Sequence, residues 1–133
     1  MKRVVAAPTS HCRFGLATAD ITPPVGMSHR MRGAAPHDRS EGVHRPLQGT
    51  AMAFAPHEDS EQPPFVLVAL DHCLLWGGEM AALRNAVLKS ANLPSERLVI
   101  TFSHTHAAGL LDVSRKNLPG GDLIEPYLVR LAE

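Results

Sequence analysis

The chain has 133 residues, with 13 Lys and Arg against 13 Asp and Glu, so its formal net charge is zero when histidine is neutral. Balanced charge without a dense Lys/Arg run excludes the electrostatic footprint of a nucleic-acid binder or a polybasic membrane anchor. The longest apolar run, Phe65–Leu70, is far shorter than the ~18–20 residues of a transmembrane segment. A 44% hydrophobic and 20% charged composition argues against wholesale disorder, and the length fits one modest domain or part of a larger one.

Eight histidines are many for this length, and histidine is the commonest metal ligand. The 11 prolines, mostly in the first half, predict an irregular start. Cys12 and Cys73 form neither a CxxC pair nor a disulfide framework, which fits a reducing compartment. The apolar stretch after Met1-Lys2-Arg3 is too short for a signal peptide, so a cytoplasmic location is the default.

In chain order, residues 1–12 read as a leader. Phe14–Ile21 alternates weakly and enters a turn at Thr22-Pro23-Pro24, as a short strand does. Residues 23–46 hold Pro, Gly, His and Arg without periodicity and predict a long loop, a kind of segment that is often functional. Leu47–Ala55 reads as a strand and residues 57–64 as a polar turn. Phe65–Leu70 is continuously apolar and predicts a strand buried on both faces. Gly77-Gly78 opens a helix over Glu79–Ala91, with Met80, Leu83 and Val87 on one face and Asn92 and Pro94 at its stop. Arg97–Phe102 predicts another buried strand, and strand, helix, strand in that order predicts a βαβ unit with parallel strands. After the polar stretch Asp112–Asp122, a second helix starts near Glu125-Pro126, with Ile124, Leu128 and Leu131 on one face. Glu133 falls about two turns into it. The expected class is α/β, a layered mixed sheet with a βαβ unit, as the N-terminal fragment of a larger catalytic domain that occupies residues 13–133 here.

The most informative chemistry is Ser103-His104-Thr105-His106, just past the carboxyl end of a predicted buried strand, where open α/β sheets place ligands. Residues two apart on an extended chain point to the same side. Two imidazoles so placed can share one metal, or one can bind metal while the other faces a substrate. Two solvated loop histidines remain the plainer reading. Zinc suits imidazole, and a catalytic zinc lowers the pKa of water and polarises a carbonyl.

Several segments in order carry a resemblance: Phe14–Pro23, Met31-Arg32-Gly33, Gly42–Leu47, Val66–Asp71, Leu93–Arg97, Ser103–His106 and Glu125-Pro126-Tyr127. Together, over about residues 14–133, they resemble the N-terminal domain of the neutral/alkaline, non-lysosomal ceramidase family. The resemblance implies a zinc-dependent amide hydrolase in which His104 is a Zn2+ ligand, His106 a catalytic residue near the substrate's polar head, and Gly33 a neighbour of the substrate. It implies a lipid amide such as a ceramide as substrate, and further zinc ligands (a His, a Glu and a Tyr) later in such a chain. The sequence departs from the family at Ala107-Ala108-Gly109, where Ser-Gly-Pro is usual, and at Ala34, where an aromatic commonly stands.

Plainer expectations accompany other residues. Asp71 is a turn or cap residue or, alternatively, a carboxylate that orients a metal-binding imidazole. Cys73 is a small core residue. His29, His37 and His44 are solvated loop residues or, alternatively, line a pocket; Asp20 and Thr22 shape a strand-end turn, and Gly33 permits a backbone conformation closed to other residues. The alternative to an enzyme is a non-catalytic remnant or interaction module that keeps the fold without a complete metal site.

Overall fold

The structure, a computed structural model, describes residues 9–31, 36–57 and 60–133. Four strands form one sheet in chain order: β1 (Cys12–Asp20), β2 (Gln48–Pro56), β3 (Phe65–Leu70) and β4 (Leu98–Phe102). β1 with β2 and β2 with β3 pair antiparallel, whereas β3 and β4 run parallel. Parallel neighbours need a long crossover, supplied by α1 (Gly77–Ser90); α2 (Ile124–Leu131) follows β4. The chain is thus the expected mixed α/β sheet with a βαβ unit.

The spacing of Met80, Leu83 and Val87 does what periodicity demands. Leu83 is buried, and Met80 and Val87 pack on the same cluster. Glu79 in the first turn and Lys89 in the last oppose the helix dipole favourably. The helix stops as Asn92 enters the left-handed region at φ 49° and Pro94 forbids continuation. The Arg84 guanidinium donates to the carbonyls of Ser95 and Leu98, fastening α1 to the start of β4.

One face of the sheet makes the core. Val68, Leu70, Ile100 and Phe102 meet Leu83 of α1 and Ile124, Tyr127 and Leu131 of α2, with Met27, Leu75 and Leu111 closing the layer from loops. The opposite face corrects an expectation. β3 and β4 are not buried on both faces: Leu70 and Leu98 are buried, but Val99 and Thr101 are exposed. The register places Phe14, Leu16, Met52, Phe54, Phe65, Leu67 and Val99 on that second face, and among the described residues no helix covers it. A continuous apolar run specifies that both sides avoid water; it does not specify what covers the second side.

The expected loop between β1 and β2 is irregular yet pinned. Asp20 accepts from the Thr22 backbone N–H at 2.8 Å and from its hydroxyl, and the Thr22 hydroxyl in turn accepts from the Leu47 N–H at 2.9 Å. These bonds hold the Asp20 carboxyl below the usual carboxylate range. Gly26, Met27 and His29 exchange backbone bonds with Asp38 and Ser40, making a short folded arm. Gly120, at φ 72°, seats this arm: its carbonyl accepts from Ser28 N–H at 2.9 Å, and a Cβ there would overlap the Gly26 carbonyl oxygen.

Candidate metal centre

β3 and β4 end level, because Leu70 pairs with Phe102. The chain leaves β3 as Asp71-His72-Cys73 and β4 as Ser103-His104, and Ser103 N–H donates to the Leu70 carbonyl at 3.0 Å. Two adjacent exits bring Cys73 Sγ to 3.8 Å from both ring nitrogens of His104. His106 completes the group: the ligand atoms of Cys73, His104 and His106 all lie within 4.8 Å of one another.

The two histidines meet for a different reason from the one the spacing predicts. His104 is not extended; its backbone is left-handed at φ 59°, a conformation uncommon outside glycine, and His106 opens a short 3-10 turn over His106–Ala108. That kink sets the imidazole centroids 5.5 Å apart. Strain of this kind on a non-glycine residue persists where surrounding structure imposes it, and it clusters at functional sites.

A hydrogen bond selects the tautomer of His104. Its Nδ1 lies 3.1 Å from the Cys73 carbonyl oxygen, which can only accept, so Nδ1 carries the proton and Nε2 keeps its lone pair. Metal-binding histidines commonly show this arrangement, one nitrogen anchored to a carbonyl and the other free to ligate. Cys73 is buried while His104 and His106 are exposed, so an ion would meet the sulfur on its inner side and solvent on its outer side. One sulfur with imidazole nitrogens suits zinc and similar borderline ions and does not suit calcium or magnesium, which take oxygen ligands. The residues present therefore fit a zinc-type ion.

A cleft of about 590 Å³ adjoins the centre, lined by Thr105 and Ala107 and by Asp71. His29, His37 and His44 also line it, together with Arg39 and Arg45. His37 and His44 are exposed, as expected of solvated loop residues, while His29 is drawn partly out of solvent; all three border the same cleft. His29 is half-buried, and desolvation with His37 nearby lowers its pKa. Gly109, at φ 75°, lets the His106 turn approach the His29 backbone closely. Asp71 accepts from Gln48 N–H at 3.0 Å, clasping the start of β2 to the end of β3, in line with a strand-end cap.

Behind the centre sits a buried polar tie. Tyr127 donates its hydroxyl proton to the Ile21 carbonyl at 2.6 Å, so it accepts from His72 Nε2–H, also at 2.6 Å. His72 Nδ1 is then a bare buried acceptor with no protein partner among the described residues. Burial drives the His72 pKa down to about 4 and the Tyr127 hydroxyl well above its usual range.

Of the sequence-predicted site residues, His104 and His106 come together, and Gly33 lies outside the described residues. Cys73 sits in the core as expected, but its sulfur faces His104 rather than apolar neighbours alone. The level strand ends were the signal that could have placed it there, since parallel pairing of two predicted strands puts their exits side by side.

No protein-family model and no curated protein sequence matches the chain. Among solved structures it is similar to a ceramidase complexed with C2, with a TM-score of 0.63 and 18% sequence identity. The likeness covers 90% of this chain and 20% of that one. The fold is therefore ceramidase-like.

Proposed function

We propose that the chain is the N-terminal part, over residues 13–133, of a zinc-dependent amide hydrolase acting on N-acyl lipid amides of the ceramide type. The observation that carries this reading is the cluster of His104, His106 and Cys73 at the carboxyl rim of β3 and β4, in a ceramidase-like fold and beside a cleft. A zinc ion held at His104 would polarise an amide carbonyl and lower the pKa of water. His104 offers Nε2 to the ion because its other nitrogen is anchored. His106, exposed between the cleft-lining Thr105 and Ala107, is assigned to hydrogen-bond the substrate and hold a proton beside the scissile amide. Gly33 is assigned, by the family resemblance alone, to the neighbourhood of the substrate. The cleft receives the polar end of the substrate, and the products are a fatty acid and an amine. No helix among the described residues is long and apolar enough to cross a membrane. The free thiols of Cys12 and Cys73 fit a cytoplasmic setting.

The test is hydrolysis of short- and long-chain N-acyl amines by protein made from the complete reading frame and loaded with zinc. The several kcal/mol attributed to a catalytic metal translate to a loss of roughly a thousandfold in kcat/KM for His104→Ala. Wild-type rates in that variant would remove the assigned role. Absence of turnover in the unmutated protein, with zinc bound, would favour the non-catalytic interaction module.

A further inference from the structure

We infer that Cys73 is a metal ligand, so that this chain holds its ion through the Cys73 thiolate and His104 Nε2, with His106 left on the open side. The inference rests on the metal part of the proposed function and adds a sulfur donor to it. In a tetrahedral zinc site, metal–sulfur and metal–nitrogen bonds of about 2.3 and 2.0 Å put sulfur and nitrogen about 3.5 Å apart. The Cys73 sulfur lies 3.8 Å from Nε2, within a few tenths of an ångström of that spacing, and equally 3.8 Å from Nδ1, so a turn of the Cys73 side chain is needed to bring the sulfur round to the Nε2 lone pair. His106 belongs to the same group but at a reach of up to 4.8 Å, which assigns it the outer place.

Three further observations support the pairing. The carbonyl of Cys73 fixes the tautomer of His104, so one residue supplies both a donor atom and the anchor that aims the other donor. The left-handed backbone of His104 is the strain that turns its ring toward the β3 exit. Cys73 is only 3% exposed, which shields the sulfur from solvent oxidants while His104 keeps the ion accessible. On binding, the Cys73 S–H bond is replaced by a sulfur–metal bond and the proton passes to solvent.

Cobalt(II) reports this directly, because a thiolate ligand gives a near-ultraviolet charge-transfer band absent from nitrogen and oxygen ligation. The titration uses the chain carrying Cys12→Ser, so that Cys73 is its one thiol. The expected result is a charge-transfer band that Cys73→Ser abolishes, with binding weakened at least about tenfold, the lower range seen for even outer-sphere partners. His104→Ala loses the band as well, and His106→Ala retains it. As a measurement independent of any Cys73 variant, X-ray absorption at the zinc edge should show one sulfur neighbour at about 2.3 Å. Cobalt bound with visible ligand-field absorption but no charge-transfer band, or zinc with nitrogen and oxygen neighbours alone, overturns the inference and leaves a His104-centred site standing. A band that persists in Cys73→Ser, or that His106→Ala abolishes, overturns the assignment. No cobalt or zinc uptake at all overturns the inference together with the metal part of the proposed function.

Discussion

His72 shows how one side chain can be held neutral by geometry. Its Nε2–H is committed to Tyr127, and a proton added at Nδ1 would find no acceptor among the described residues. The folded pKa of about 4 lies below the ordinary 6.5. Above pH 6.5 the ring is neutral folded or unfolded and contributes no pH dependence. Below it the unfolded chain binds the proton first, so stability falls progressively as the pH drops from 6.5 to about 4. The difference corresponds to at most about 3 kcal/mol. Urea midpoints of metal-free protein across that range should decline, and the decline should be largely lost in His72→Gln. A His72→Gln profile parallel to the wild type would contradict the assignment. None of this was legible from the residue itself. His72 follows a strand end as any polar loop residue might, and its partner Tyr127 is 55 positions away.

At the scale of elements, local pattern and local structure agree wherever the pattern is self-contained. β3 spans the residues its apolar run predicted, and α1 buries the face its spacing drew, because period and burial are the same constraint read twice. The segment between β1 and β2 was legible only as irregular, since its order comes from bonds to Gly120 and Leu47 rather than from its own sequence. The metal centre was half legible. His104 and His106 declared themselves by type and position, whereas Cys73 needed the register of two strands. Gly120 offers a test of the arm's dependence on distant residues. Gly120→Ala puts a methyl group against the Gly26 carbonyl and an L-residue in the left-handed region, each disfavoured by about 1 kcal/mol or more. We expect a lowered melting temperature and raised amide exchange at Ser28 and His29; unchanged exchange there would show that the arm is seated by other contacts.

For the whole molecule, the second face of the sheet is the dominant surface feature. Phe14 and Phe54 lie 5.3 Å apart between ring centroids on that face, and Leu16 is 62% exposed beside them. Contiguous apolar area of this kind drives association in water, and strand edges add unpaired backbone groups to it. The chain on its own should therefore self-associate at micromolar concentration, and Leu16→Lys should shift it toward monomer without changing its circular dichroism. A monodisperse wild-type monomer by light scattering would contradict this.

The Tyr127 hydroxyl reaches the Ile21 carbonyl across 106 positions, and the Arg130 guanidinium reaches the Thr22 carbonyl across 108. During synthesis on a ribosome, the strands and the crossover helix emerge well before those two side chains do. The turn at Ile21 and Thr22 must then wait, unlatched, until residues 127–130 have left the exit tunnel. Closure of this kind belongs to the late, slow part of folding, because contacts so distant in sequence carry the largest loop-entropy cost.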